Sequence, residues 1–242
     1  MAKSKNIFTR VEKKYVITKA QLDAMLPTLL EHMHEDEYGL STICSTYYDT
    51  PDMRLIGASI IAKTYKEKLR LRCYGEPRED ANAFVELKKK FKGIVYKRRI
   101  SMPYRDAIAF LSGDAPCPND QIAREIAYTL SYYPNLRPAL NIFCERVAYE
   151  GNEDDNLRLT VDRNLRYRMN DLDLMSGTHG TPLLPEDRFI LEIKTAFSMP
   201  LWLVHLLDEN KVYPGKFSKY GTAFNLELEK NRAAAKNNTS LE

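Results

Sequence analysis

The most constraining feature of this sequence is an alternation of charged and apolar residues within short segments rich in strand-forming residues. In "KLRLRCYG", the cations Lys68, Arg70 and Arg72 alternate with Leu69 and Leu71. Successive side chains of a strand point to opposite faces, so this pattern predicts a strand with one cationic face and one apolar face. A single strand of this kind is explained by an apolar face on the core and a charged face in water.

The same alternation recurs in other segments along the chain. We predict eight strands, at 7–17, 40–50, 63–75, 82–90, 93–102, 138–150, 156–169 and 187–195. All but the second carry ionic residues at positions of the same parity. These residues are Arg10, Glu12, Lys14, Lys68, Arg70, Arg72, Glu86, Lys88, Lys90, Lys97, Arg99, Arg146, Arg158, Asp162, Glu192 and Lys194.

The predicted fold class is α+β, with about eight antiparallel strands closed into a barrel and helices packed outside. Helices are predicted at 18–36, 103–112, 119–132, 200–209 and after Ser218, the first capped near Thr18 and kinked or broken at Pro27. The charged faces then either meet water or line a tunnel, with the helices covering the apolar faces. The alternation alone leaves both arrangements open.

A tunnel lined by this many cations requires a polyanion, because like charges at close range repel. Arginine forks and lysine point charges suit a chain of phosphates. The few carboxylates on the same faces offer oxygen ligands of the kind that Mg²⁺ and Mn²⁺ prefer. A metal ion beside a cationic clamp is typical of phosphoryl transfer. The sequence has neither a Walker A loop nor a G-x-G-x-x-G motif, so a phosphate site of that kind is excluded.

Composition limits the other classes of function. The net charge is +3, which is too small to indicate nucleic-acid binding, and few aromatic residues share the charged faces, so we predict no nucleic-acid partner. The four cysteines show neither zinc-site nor disulfide spacing, which indicates reduced thiols and a cytoplasmic location. No signal peptide or membrane span is expected in this chain, although a membrane protein could still be its partner. We predict one domain over residues 1–230 and a disordered tail over 231–242.

Seven motifs in order resemble a known family. They are "RVEKKYVI", "KLRLR", "VELKKK", "CERVAY", "LRLTVD", "ILEIKT" and "KFSKYG". Together they resemble the catalytic domain of the vacuolar transporter chaperone (VTC) polyphosphate polymerases, within the wider triphosphate tunnel metalloenzyme, or CYTH, group. The resemblance covers about residues 7–229. It implies an antiparallel tunnel that binds ATP and a growing polyphosphate chain with Mn²⁺ or Mg²⁺, and that transfers the γ-phosphate to the chain end.

The resemblance and the strand faces together predict three sets of site residues. The expected catalytic residues are Arg70, Arg72, Lys88, Arg146 and Lys219. The expected substrate-binding residues are Arg10, Lys14, Lys97, Arg99, Arg158, Lys194, Lys216 and Ser218. The expected metal ligands are Glu192, which matches the family's metal-binding glutamate, and also Glu12 and Glu86, for which pairing to nearby cations is the alternative.

One departure from the wider group bears on the reaction. The first strand of that group often carries ExExK, but here Arg10 stands where the first acid is expected. A tunnel poorer in acid favours chain synthesis over hydrolysis. Two alternatives remain, namely a triphosphatase of the same fold acting on inorganic triphosphate or a nucleotide, and a non-enzymatic module that binds polyphosphate.

Overall fold

The computed structural model describes residues 11–62, 64–92 and 94–239. Within them, ten strands and six helices follow one another along the chain. The strands are β1 (Val11–Thr18), β2 (Met33–Glu35), β3 (Ser41–Asp49), β4 (Tyr65–Tyr74), β5 (Asn82–Phe91), β6 (Ile94–Pro103), β7 (Arg137–Gly151), β8 (Arg158–Arg168), β9 (Thr181–Pro182) and β10 (Arg188–Thr195). The helices are α1 (Lys19–His32), α2 (Arg54–Ile61), α3 (Tyr104–Ser112), α4 (Gln121–Tyr132), α5 (Leu201–Glu209) and α6 (Lys219–Thr239).

The strands form one hydrogen-bonded series, in the order β1-β10-β8-β7-β3-β4-β5-β6, with β2 added to β7 and β9 to β8. The ladders β1–β10, β10–β8, β2–β7, β3–β4, β4–β5, β5–β6 and β8–β9 are antiparallel. The predicted α+β class and its antiparallel strands are therefore confirmed. Closure into a barrel is not observed, because no ladder joins the end strands β1 and β6 within the residues that the structure describes. The alternation in the sequence could not reveal this, since it specifies the face of each residue and not which strand edges pair.

The chain divides into two compact units. The first comprises Met1–Ser41, Cys144–Leu165 and Leu184–Phe217, and the second comprises Thr42–Phe143, Arg166–Leu183 and Ser218–Glu242. The predicted single domain over residues 1–230 stays a prediction.

Helix α1 begins where the sequence predicts. The Thr18 hydroxyl accepts a hydrogen bond from the Gln21 amide at 3.1 Å, and the Gln21 side chain accepts one from the Thr18 amide at 3.0 Å. This capping box satisfies two amides that have no partner within the helix. Pro27 lies inside the helix, which continues to His32, so the proline does not break it. The burial of Leu29 on the core face offsets the hydrogen bond that proline cannot donate.

In the first unit, the apolar strand faces are covered by helices. Tyr15 of β1, Leu159 of β8 and Leu191 of β10 share a buried cluster with Leu29 of α1 and Leu203 of α5. The charged positions on these strands have the opposite parity. The sequence left open whether the apolar strand faces form the inside of a barrel or are covered by helices. In the first unit, helices cover them.

The second unit repeats this arrangement. Leu69 and Leu71 of β4 and Leu87 of β5 pack in one cluster with Phe110 of α3 and Ile126 of α4. The three leucines are fully buried, and each contributes about 2 kcal/mol through the removal of apolar surface from water. A register shift by one residue would turn these leucines to the other face, so their burial also fixes the direction of the cations between them.

Several segments differ from the prediction. Strand β2 (Met33–Glu35) lies within the predicted helix 18–36, which ends at His32, and strand β9 was not expected. Helix α2 was not expected, and it begins beside the buried Asp49, whose carboxylate accepts hydrogen bonds from the amides of Leu55 and Ile56 at 2.8 and 2.9 Å. Residues 231–239, predicted to be a disordered tail, continue helix α6. The "NRAAAKNN" segment lacks apolar periodicity but contains good helix formers, and these extend a helix that is already nucleated.

Two expectations about composition can be compared with the structure. All four cysteines are free thiols, in agreement with the predicted absence of disulfides. None of the helices within the described residues is long and apolar enough to cross a membrane.

Candidate functional site

The second unit holds a cluster of cations around one buried carboxylate, which we call the Glu86 cluster. Arg70, Glu86 and Arg99 lie directly opposite one another on β4, β5 and β6. The Arg70 Nε atom donates to Glu86 Oε2 at 2.5 Å, while Lys97 Nζ and Arg99 Nε lie 2.6 and 3.0 Å from Oε1. Arg72 Nε lies 3.9 Å from Oε2. Four cations therefore share one carboxylate that is only 1% exposed, and the cluster has a net positive charge.

The charges in this cluster are incompletely balanced. Burial alone would raise the pKa of Glu86, but the charges of Arg70, Arg72 and Lys97 outweigh it and hold that pKa well below its usual range. Burial lowers the pKa of Arg72, and the neighbouring charge of Arg70 lowers it further. The pKa of Lys97 is also lowered, chiefly by burial. The protein therefore carries positive charge here that a bound anion would stabilise.

The start of helix α6 lies beside the same row of cations. Lys68, two residues before Arg70 on β4, donates from Nζ to the Ser218 hydroxyl at 3.1 Å. That hydroxyl also accepts the Gly221 amide at 3.2 Å, so Ser218 caps the helix that begins at Lys219. A helix N-terminus carries a partial positive charge, which adds to that of the lysines.

Tyr47 lies in this region but was not among the predicted site residues. It lies directly opposite Arg70 in the β3–β4 ladder, and Arg70 Nη1 donates to its hydroxyl at 3.4 Å. Its ring stacks on Tyr220 with a centroid distance of 4.7 Å, and the Tyr220 hydroxyl donates to Asp49 at 2.7 Å. The parity of "STYYD" would have placed Tyr47 on the cationic face if the pairing of β3 with β4 had been known.

Tyr47 should ionise at an unusually low pH. Burial alone would raise the pKa of its phenol, but the charges of Arg70, Lys68 and Arg72 lower it to about 8. In a spectrophotometric titration we expect one phenol to ionise near pH 8, well before exposed tyrosines, and Tyr47→Phe should remove this step. Tyr213→Phe, which removes an exposed phenol, serves as the control and should leave the step in place. A titration curve unchanged by Tyr47→Phe would contradict the assignment.

The first unit holds a second ionic cluster, which we call the Lys14 cluster. Lys14 Nζ lies 3.2 Å from Glu12 Oε1 and 3.3 Å from Glu192 Oε2, and Lys194 Nζ lies 2.5 Å from Glu192 Oε1. Burial would raise the pKa of Glu192, but Lys194 and Lys14 outweigh it and lower the pKa to about 2. Two lysines face two carboxylates, so the Lys14 cluster is balanced in charge, unlike the Glu86 cluster.

The first unit also orients an arginine. Arg146 donates from Nε and Nη2 to the two oxygens of Asp162 at 2.5 and 2.8 Å, and Asp162 is 1% exposed. This fork fixes the guanidinium plane, so Asp162 orients an arginine here. Arg158 pairs with Glu150.

The chain matches a known family over nearly its whole length. Residues 9–227 match the family model of the VTC domain. The chain belongs to the VTC domain family. The family predicted from the sequence motifs is therefore confirmed.

Two curated relatives are similar in sequence to this VTC domain. One is vacuolar transporter chaperone complex subunit 4 of Schizosaccharomyces pombe, 26% identical over 224 residues, which cover 74% of this chain and 31% of the relative. The other is the subunit of the same name of Trypanosoma brucei brucei, 22% identical over 213 residues, which cover 69% of this chain and 27% of the relative. The chain thus spans about a third or less of the length of these relatives.

Solved structures share the fold of the VTC domain. A Bacillus halodurans protein assigned as an adenylate cyclase matches with a TM-score of 0.55 and 13% identity, covering 86% of this chain and 93% of its own. A Hippeastrum protein assigned as an adenylyl cyclase, and described as having a dominant triphosphatase activity, matches with a TM-score of 0.53 and 15% identity, covering 88% and 93%. At these identities the likeness concerns the fold, an antiparallel α+β architecture like that of triphosphate tunnel proteins.

The predicted site residues of the VTC domain are distributed over the two units. The Glu86 cluster brings together Arg70, Arg72, Glu86, Lys97 and Arg99. Lys88 lies directly opposite both Lys68 and Lys97 on the same face. In the first unit, the Lys14 cluster brings together Glu12, Lys14, Glu192 and Lys194. Lys216 is exposed and forms no ion pair within the described residues, and Arg10 lies outside them.

The predicted metal ligands differ in how well they suit a metal ion. The described residues contain no group of three or more carboxylate, histidine or cysteine side chains that could hold one, so a cage made by protein alone does not fit. Mg²⁺ and similar ions are often held by one or two carboxylates together with substrate phosphates, and Glu12 and Glu192 suit that mode. A metal there must displace the Lys14 ammonium, which both carboxylates now contact. Glu86 does not suit it, because cations contact both of its oxygens.

Proposed function

We propose that this VTC domain is a metal-dependent polyphosphate polymerase that transfers the γ-phosphate of ATP to the end of a polyphosphate chain. The observation that carries the proposal is the Glu86 cluster, in which four cations on rigid neighbouring strands share a single carboxylate. A chain of phosphates supplies the negative charge that the cluster lacks. The motifs that resemble VTC polymerases, and the two relatives named as subunit 4 of that complex, support the same function.

The proposed mechanism depends on positioning and charge neutralisation. Phosphoryl transfer passes through a loose transition state with charge on the equatorial oxygens, so arginine and lysine donors held in place lower the barrier. Arg70 and Arg72 act as forks on the transferred phosphate, while Lys88 and Lys97 bind the neighbouring phosphates. The chain-end phosphate oxygen is already a nucleophile at neutral pH, so no general base is required. A bound Mn²⁺ or Mg²⁺, held by Glu192 and Glu12, would neutralise further charge on phosphate oxygens.

The state of Glu86 favours transfer over hydrolysis. A triphosphatase gains from a carboxylate that accepts a proton from water, and such a base works best with a pKa near the operating pH. The pKa of Glu86 is held far below that range by Arg70, Arg72 and Lys97, so this carboxylate is a poor base. Its role in the proposed polymerase is to hold the arginines in place.

The first experiment measures the reaction itself. The purified chain is incubated with ATP and Mn²⁺ or Mg²⁺, with and without triphosphate as a primer, and the products are separated on a phosphate-staining gel. We expect a ladder of lengthening chains, with one ADP released for each phosphate added, and no product when a chelator removes the metal. Orthophosphate without a ladder would make the protein a triphosphatase. Retention of polyphosphate without either product would make it a binding module.

Several finer points belong to this proposal. Its substrates are ATP and polyphosphate or triphosphate, with no nucleic acid, and its expected cytoplasmic location stays a prediction. A membrane protein as partner is compatible with the same site and is not required for the reaction.

A further inference from the structure

Large apolar side chains are exposed at the far end of the β5–β6 hairpin and at the adjacent start of β4. We call this surface the hairpin tip. Exposed fractions of 39–58% are unusual for a group of side chains of this size within one small area. The residues of the hairpin tip are Tyr65, Phe91, Ile94, Val95 and Tyr96.

Both faces of the hairpin are exposed at this tip. Phe91 and Ile94 lie opposite each other and share one face, while Val95 lies opposite Lys90 and shares the other. Ile94, at 58%, and Val95, at 48%, are therefore exposed on opposite faces. A rigid, flat partner would cover only one of these faces. A fluid interface that surrounds the tip covers both.

The hairpin tip is also strongly cationic. Residues 88–99 contain seven lysines and arginines and no acid, but Lys97, Arg98 and Arg99 at the end away from the tip already contact acids of other segments. Lys90 and Lys92 are exposed, and neither forms an ion pair within the residues that the structure describes. Lys92 Nζ lies 5.4 Å from the centroid of the Phe91 ring, and Lys66 lies directly opposite Lys90 on β4. The nearby Glu67 is buried and contacts Lys89 at 3.1 Å, so it does not offset the charge of the exposed lysines.

We propose that the hairpin tip docks this protein on an anionic lipid surface. Phe91, Ile94 and Val95 would enter the interface, and the tyrosine hydroxyls would lie at the level of the head groups. Lysines around an inserted apolar tip reach lipid phosphates through their flexible stems. The tip contains three aromatic side chains, but Ile94 and Val95, the two most exposed of its five residues, cannot stack on nucleobases, which favours lipid over single-stranded RNA. The inference does not depend on the proposed polymerase activity.

The test is co-sedimentation of the full chain with lipid vesicles. We expect binding to phosphatidylcholine vesicles that contain phosphatidylserine, weak binding to phosphatidylcholine alone, and loss of binding as salt is raised. The variant Lys90→Glu with Lys92→Glu should bind at least about tenfold more weakly. Ile94→Ser with Val95→Ser should also lose binding. The matched control is Lys13→Glu with Phe197→Ser, which changes an exposed cation and an exposed aromatic elsewhere and should bind like the wild type.

A second measurement reports insertion directly. The tryptophan fluorescence of the Phe91→Trp variant should shift to shorter wavelength when phosphatidylserine vesicles are added. The parent protein, whose tryptophan is Trp202, should show a smaller shift. The Ile94→Ser, Val95→Ser variant should retain its melting temperature and its affinity for inorganic polyphosphate. The proposal is overturned if the wild type fails to bind anionic vesicles or the matched control loses binding equally. It is also overturned if the tip variants still bind anionic vesicles but lose affinity for polyphosphate or RNA, or lose self-association, because the tip would then serve that other contact.

Discussion

Glu86→Gln should lower the free energy of unfolding by about 3–5 kcal/mol, because it removes the charge of a buried carboxylate that four cations share. The carboxylate is 1% exposed and contacts Arg70, Lys97 and Arg99 within 3.0 Å. Glutamine has nearly the same shape, so packing is preserved and the loss is electrostatic. Urea unfolding near neutral pH measures the difference.

Added polyphosphate distinguishes this explanation from a general loss of packing. A bound anion replaces the missing charge, so polyphosphate should stabilise Glu86→Gln more than it stabilises the wild type. The matched control is Glu125→Gln, which removes the partly exposed partner of Arg98 at 2.8 Å and should cost less than about 1 kcal/mol. Equal losses in the two variants, or no additional rescue by polyphosphate, would contradict the role of Glu86.

Comparison of the wild type with Glu86→Gln also predicts how stability depends on pH. The pKa of Glu86 in the folded protein lies below its ordinary value, so its contribution to stability is present above that ordinary value and is lost as the pH falls below it. The wild type should therefore lose more stability than Glu86→Gln during acidification. The difference between their unfolding free energies should shrink as the pH falls.

The faces of the strands could be predicted from the sequence because burial fixes them. Leu69 and Leu71 must both reach the core, and a shift by one residue would expose both, so Arg70 could only lie on the other face. The start of helix α1 could also be predicted, because the contacts that cap it join residues close together in the sequence. Thr18 and Gln21 cap helix α1 through contacts three residues apart.

Features that depend on long-range pairing could not be predicted. Tyr47 meets Arg70 only because β3 pairs with β4, and Tyr220 reaches Asp49 across 171 residues of sequence. Helix α2 has only eight residues, Arg54–Ile61, and its first amides donate to Asp49, so it offers too few turns for a periodic signal. The alternation of charged and apolar residues likewise carries no information about whether the two end strands of a sheet pair with each other.

The sequence also could not show which charged groups surround each acidic side chain. Glu86, Asp162 and Glu192 all occupy the charged parity of their strands, and the sequence treats them alike. In the structure, Glu86 faces several cations, Asp162 forms a fork with a single arginine, and Glu192 contacts two lysines. Metal binding therefore remains a reasonable proposal for Glu192 and a poor one for Glu86.

Arg72→Met should strongly slow polyphosphate synthesis without destabilising the protein. Burial and the neighbouring charge of Arg70 both lower the pKa of Arg72, which means that its charge is unfavourable in the folded protein without substrate. Its nearest carboxylate contact, Glu86, is 3.9 Å away and is shared with closer cations. Methionine fills similar space without the charge, so we expect an unchanged or higher free energy of unfolding. The rate of synthesis should fall at least about 100-fold, as for a lost transition-state donor.

The contrast between stability and activity makes this test specific to a binding or catalytic arginine. The matched control is Arg98→Met, which removes the partner of Glu125 on the opposite parity of β6 and should leave synthesis within about twofold. Arg72→Met should also weaken the binding of polyphosphate measured by calorimetry. If Arg72→Met instead lowered stability while synthesis continued, Arg72 would be a structural residue. A protein keeps an arginine that opposes its own folding where a ligand supplies the missing charge, and under the proposed function a phosphate chain would supply it.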